Sequence, residues 1–124
     1  MKGVLERLVE RHGTFNVDWM GFDLNRKNPL TYHHIRKESD KGKKTLENGA
    51  PLSKDAHRFL NCLERKKPKL YEEWNELFIE INRSEAPPTE EHNAKIKTLR
   101  KKGESVEKFY RKKKWWLWRV KKLY

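Results

Sequence analysis

Three histidines and one asparagine lie close enough along the chain to form a small catalytic site. His33 and His34 are adjacent in a β-prone segment, Asn48 lies 14 residues after His34, and His57 lies nine residues after Asn48. Two imidazole rings can hold one divalent metal ion, and a third can accept a proton from water near neutral pH. A strand, a loop, a second strand and a helix would bring these four side chains together.

The two adjacent histidines are expected to have different roles. Neighbouring residues on a strand point to opposite faces of the sheet, so His33 and His34 cannot face the same ion from an undistorted strand. Simpler interpretations also exist: ordinary strand histidines at 33 and 34, a turn residue at Asn48 and a solvated helix residue at His57.

The order of these residues resembles that of the HNH endonucleases, the ββα-metal nucleases, and in particular the small ones of bacterial phages and mobile elements. The similarity lies in the His-His pair before Ile35, a basic loop that contains glycine, and the nine-residue step from Asn48 to His57. The resemblance implies that His33 and His57 are metal ligands. It implies that His34 is the general base, and that Asn48 braces the loop and keeps that base oriented. The implied cofactor is a divalent metal ion, Mg²⁺ first, with Mn²⁺, Ni²⁺ or Zn²⁺ as alternatives. The implied reaction is hydrolysis of phosphodiester bonds to 5′-phosphate and 3′-hydroxyl ends.

One departure from this family pattern concerns structural zinc. Many HNH proteins carry two CxxC pairs that bind zinc, and one pair precedes the last ligand. Here Ser53 and Ala56 occupy the places of that pair, and Cys62 is the single cysteine of the chain. Cys62 and His57 alone would leave a zinc site two ligands short. We therefore expect the hydrophobic core to hold the fold without a second metal.

The elements around the four residues predict an α+β fold. Its centre is a small ββα-metal core, that is, a short β-hairpin plus a helix, with flanking helices and a basic C-terminal helical tail. Strands are predicted at 30–36 and 46–52, and helices at 2–12, 53–66, 69–83, 90–102 and 104–124. Ser53 is a good N-cap for the helix that carries His57. By domain, we expect an HNH nuclease domain at 1–84, a linker at 85–91 and a basic, Trp-rich helical extension at 92–124.

Charge and composition limit the function classes. The chain has 124 residues and a net charge of +12, and 13 basic against two acidic residues fall in 95–124. A localised basic block attracts polyanions such as nucleic acid. No run of roughly 18 apolar residues occurs, so no membrane span is expected. The N-terminus lacks the apolar core of a secretory signal, so we expect a cytoplasmic protein of a bacterial or phage-infected cell.

Basic and aromatic residues in three places are candidates for binding nucleic acid, because cations bind phosphates and aromatic rings stack on bases. They are Lys43 and Lys44 in the loop, Lys54 and Arg58 on the ligand-bearing helix, and Arg111, Lys112, Lys113, Lys114, Trp115, Trp116 and Trp118 in the tail. DNA is the expected partner and RNA is not excluded, whereas no protein partner is indicated.

Other interpretations of these features stay open. Lys54 and Arg58 could simply solvate their helix. The tail tryptophans could sit at a membrane interface or pack in the core. The whole chain could be a non-catalytic nucleic-acid-binding or inhibitor protein on an HNH scaffold. His12 and His92 belong to no motif and are expected at the surface.

Overall fold

The computed structural model describes residues 3–13, 16–37 and 42–108. In chain order the elements are α1 (Val4–His12), β1 (Leu30–His34), β2 (Gly49–Ser53), α2 (Lys54–Lys66), α3 (Pro68–Ser84) and α4 (Glu90–Lys102). Residues 104–108 are also helical. The predicted α+β class, with a small hairpin followed by helices, is confirmed. The tail residues Arg111, Lys112, Lys113, Lys114, Trp115, Trp116 and Trp118 lie outside the described residues.

Strands β1 and β2 form an antiparallel hairpin in which His33 is opposite Ala50 and His34 is opposite Gly49. The glycine is required at this position, because a Cβ atom there would collide with the Tyr32 ring and with Leu8 of α1. The hairpin can therefore press closely against α1. The strand register and the contact with α1 together fix the positions of both histidines along β1.

Helix α2 begins where the sequence predicts. The Ser53 side chain caps it by accepting a hydrogen bond from the Ala56 amide at 3.1 Å, which satisfies one of the free N–H groups of the first turn. Its predicted apolar face, which includes Phe59 and Leu63, is buried. Pro68 occupies the first position of α3, where a missing N–H costs nothing. The turn of chain between α2 and α3 is consequently very short.

A buried carboxylate ties the segment after α1 to the start of α2. Asp18 is 4% exposed. One of its oxygens accepts hydrogen bonds from the amides of Met20 at 2.8 Å and Phe22 at 3.0 Å, and the other accepts from the Ser53 amide at 2.7 Å. Burial raises the pKa of Asp18, and these hydrogen bonds oppose that rise. We call this arrangement the Asp18 clasp.

The helices pack around one apolar cluster. The largest side chains in it are Trp19, Trp74, Phe59 and Phe78. Helix α4 adds Ile96 and Leu99 to the same cluster. None of the helices in the described ranges is long and apolar enough to cross a bilayer.

The expectation that His12 lies at the surface is wrong. Its side chain is fully buried, its Nδ1 donates to the Ala86 carbonyl at 2.8 Å, and its ring meets Trp19 edge to face at 5.0 Å between centroids. The physical reason is helical periodicity, because His12 follows Leu8 by four residues and shares its inward face.

Candidate active site

His33 and His57 form a close pair of imidazoles between β1 and α2. Their ring centroids are 5.4 Å apart and their planes are nearly perpendicular. A metal ion about 2.1 Å from one nitrogen of each ring, at a tetrahedral angle, would put the centroids roughly 5 Å apart. The spacing of the pair therefore suits two ligands of one ion.

Each ring of the pair is held by one polar partner. His33 Nε2 lies 2.8 Å from Asn75 Oδ1 on α3, and His57 Nδ1 lies 3.1 Å from the Thr31 hydroxyl on β1. The Thr31 hydroxyl itself donates to the Leu52 carbonyl at 2.8 Å. Thr31 and His33 are two residues apart on β1, so they share the strand face that looks toward α2.

Burial favours the neutral form of both rings of the pair. Burial is the main cause that lowers the pKa of His33 to about 4, the nearby His57 and His34 add to the effect, and the Asn75 hydrogen bond opposes it. Burial also lowers the pKa of His57, with a further contribution from His34. A neutral imidazole keeps one nitrogen lone pair, which is what metal ligation requires.

His34 lies on the opposite face of β1 and is partly exposed. Its ring meets the Tyr32 ring edge to face at 4.8 Å between centroids. The Tyr32 hydroxyl is fixed in turn, because it donates to the Thr45 carbonyl at 2.7 Å and accepts from the Thr45 amide at 2.9 Å. His34 has no hydrogen-bond partner among the described residues, so its ring nitrogens are free to meet solvent or a bound molecule.

Asn48 makes contacts that brace the loop between the strands. Its Oδ1 accepts from the Arg36 amide at 2.7 Å, and its Nδ2 donates to the carbonyls of Arg36 and Lys43, both at 2.9 Å. Its backbone carbonyl accepts from the Ile35 amide at 2.9 Å. The chain immediately after His34 is therefore held by one side chain, and the catalytic role of Asn48 stays a prediction.

Two imidazoles are the donors that the pair offers to an ion. The residues that the structure describes contain no group of three His, Cys, Asp or Glu side chains placed to hold a metal ion. Imidazole nitrogens suit Zn²⁺ or Ni²⁺ better than Mg²⁺, which prefers oxygen ligands. The pair thus offers two of the ligands that an ion needs, and any bound ion would take its remaining ligands from water or substrate.

The four basic candidates outside the tail are exposed. Lys54 and Arg58 lie one helical turn apart on α2 and make no ion pair with another described residue. Lys44 lies over the Tyr32 ring, 5.5 Å from its centroid, and Lys43 contributes only its carbonyl to the Asn48 contacts. All four cations are therefore available to a polyanion beside the histidines.

A cleft of about 740 Å³ opens on the α3 side of the site. Asn48 and Asn75 line it together with Ile35, Arg36 and Tyr71. The side-chain amides of Asn48, which holds the loop, and of Asn75, which holds His33, therefore lie at a surface that a bound molecule can reach.

Sequence reasoning missed three residues of this site. Thr31 and Tyr32 could have been found from strand alternation, since each shares a face of β1 with the histidine two residues later. Asn75 gives no such signal, because it lies on a helix 42 residues away from His33.

Comparisons with protein-family models, with curated proteins and with solved structures found no match to this chain. The resemblance to HNH endonucleases rests on the motif residues and their spacing.

Proposed function

We propose that this protein is a metal-dependent HNH endonuclease that hydrolyses phosphodiester bonds in DNA. One observation carries the proposal. The hairpin and α2 bring the rings of His33 and His57 to 5.4 Å, with His34 next on the same strand and Asn48 bracing the chain just beyond it. Each ring of the pair keeps one nitrogen that makes no hydrogen bond to another described residue, which is what a metal ligand requires.

His33 and His57 would hold the ion, and each has the neutral ring that ligation needs. When bound, a divalent ion stabilises the charge that develops on the phosphate and on the leaving 3′ oxygen. The histidine pair supplies only two protein ligands, so positions remain open for water and for a substrate oxygen.

His34 would act as the general base. It is partly exposed and, unlike His33 and His57, it is free of hydrogen bonds within the described part of the chain. A base in this position takes a proton from the attacking water and is worth about 10²- to 10⁴-fold in rate. The Tyr32 ring packs against the His34 ring, and Asn48 holds the chain at Arg36, two residues beyond His34.

The proposed substrate is DNA because of the charge near the site. Lys43, Lys44, Lys54 and Arg58 are exposed around the histidines, and most of the net charge of +12 lies in the C-terminal quarter of the chain. Salt-dependent binding through phosphates follows from such a distribution.

A plasmid-cleavage assay tests the proposal. Purified protein is incubated with supercoiled DNA and Mg²⁺, Mn²⁺, Ni²⁺, Zn²⁺ or EDTA, and a single-stranded RNA is included in parallel. We expect metal-dependent nicking or cutting that EDTA abolishes and that leaves 5′-phosphate ends. His33→Ala and His57→Ala should each lower activity and metal affinity, and the double variant should be little worse than either, because residues that act as one unit are not additive.

His92→Gln is the matched control, since it removes a histidine at the start of α4 and keeps an acceptor for the Thr89 amide. DNA binding without cleavage under every ion would contradict the proposal. That result would favour a non-catalytic nucleic-acid-binding protein on the same scaffold.

A further inference from the structure

The rings of His33 and His57 each have one hydrogen-bonding partner among the described residues, and the two hydrogen bonds use different ring nitrogens. His33 uses Nε2, toward Asn75 on α3, whereas His57 uses Nδ1, toward Thr31 on β1. A neutral imidazole has one N–H and one lone pair, so whichever nitrogen donates leaves the other free to bind an ion.

The Asn75 contact fixes the proton of His33. An amide oxygen can only accept, so Nε2 of His33 must carry the hydrogen in this 2.8 Å contact. The ring is 4% exposed, so water does not compete for it. Nδ1 of His33 is left as the free lone pair.

The Thr31 contact determines which nitrogen of His57 carries the proton, because the hydroxyl has only one hydrogen to donate. The hydroxyl has one hydrogen, and it is donated to the Leu52 carbonyl at 2.8 Å. The hydroxyl oxygen can therefore only accept from His57, so Nδ1 of His57 carries the hydrogen. Nε2 of His57 is left as the free lone pair.

We propose that Asn75 and Thr31 are positioning residues that hold the two imidazoles in opposite tautomers, so that one lone pair from each ring is offered to the same divalent ion. This inference rests on the proposed function. Neither residue touches the ion, and both act through the ring that they hold. Outer partners of this kind typically change metal affinity by about 10- to 100-fold.

Nuclear magnetic resonance of the ring nitrogens tests the tautomers directly in the metal-free protein. We expect His33 to carry its proton on Nε2 and His57 on Nδ1. Asn75→Ala should turn His33 into a mixture of tautomers and leave His57 unchanged, and Thr31→Val should do the reverse. Because Asn75 lines the open cleft, its truncation leaves no closed cavity and the fold should persist.

Zn²⁺ titration by calorimetry then measures the consequence. Each of the two variants should bind Zn²⁺ about 10- to 100-fold more weakly than the wild type. Asn75→Asp and Thr31→Ser keep an acceptor at each place and should restore the wild-type tautomer. Asn93→Ala and Thr98→Val on the exposed face of α4 are matched controls and should change neither readout.

Three results would overturn the inference. They are the opposite tautomer in the wild type, tautomers that survive Asn75→Ala and Thr31→Val, or a changed tautomer with unchanged Zn²⁺ affinity. Cleavage of DNA by the wild type is a separate measurement, which tests only the proposed nuclease function. A protein with the expected tautomers and Zn²⁺ affinity that cuts no DNA would refute the nuclease and leave the positioning roles standing.

Discussion

Replacement of Asp18 is expected to destabilise the protein far more than replacement of any exposed aspartate. Three amides donate to its carboxylate, from Met20, Phe22 and Ser53, and all three residues are buried. Asp18→Ala leaves these donors without an acceptor. Asp18→Asn keeps one oxygen for two of the donors, but its NH₂ group cannot accept from the Ser53 amide.

The magnitude follows from the number of donors that lose their partner. A buried donor without a partner costs about 1–3 kcal/mol. For Asp18→Ala we expect the free energy of unfolding to fall by about 3–4 kcal/mol. This value lies near the lower end of the sum for the three donors, because alanine also removes the cost of burying a carboxylate. For Asp18→Asn, with one donor lost, we expect about 1–3 kcal/mol.

Urea unfolding followed by tryptophan fluorescence, at pH 7 with EDTA, measures these losses. Asp23→Ala and Asp23→Asn are the matched controls, because Asp23 is exposed in the same segment and should change stability by less than about 0.5 kcal/mol. The clasp would be refuted if Asp18→Ala and Asp23→Ala unfolded at the same urea concentration.

Three further predictions concern the base, the buried histidine and the tail. His34→Ala should lower cleavage by at least about 100-fold while DNA affinity stays the same in a filter-binding assay; a variant that cuts at the wild-type rate would exclude His34 as the base. Burial lowers the pKa of His12 below its usual 6.5, so the unfolded chain takes up the proton first and stability should fall as the pH drops below 6.5. His12→Asn keeps a donor for the Ala86 carbonyl. In urea unfolding, the stability of this variant should fall less than that of the wild type as the pH drops. An equal fall in both proteins would show that His12 does not cause the pH dependence. Deleting 109–124 removes seven basic and no acidic residues. If these residues make about five phosphate contacts, the slope of log affinity against log salt should fall by roughly 4.5; a folded truncation with the wild-type slope would rule out the tail as a DNA-binding arm.

Much of the local structure could be predicted from the sequence because it depends on short-range chemistry. Ser53 caps α2 as expected, the apolar spacing around Phe59 marks its buried face, and the β-prone residues 30–34 form β1. Capping and periodicity involve residues within one or two helical turns of each other, so both can be recognised from the sequence alone.

The contacts that the sequence could not predict are the long-range ones. Asp18 holds Ser53 across 35 residues, and Asn75 holds His33 across 42. Neither residue belongs to a periodic pattern, and an isolated Asp or Asn is ordinarily a surface residue. His12 differs from these two residues, because its four-residue step from Leu8 does indicate the buried face of α1.

The separation between His33 and Asn75 has a consequence for the order in which the protein is made. The hairpin and α2, with both metal-ligand candidates, leave the ribosome before α3 does. Contacts between distant segments form late, because the intervening loop must close first. The His33 ring therefore stays unfixed in a nascent chain until α3 has been synthesised and has docked. Only chains long enough to contain α3 can therefore form the complete site.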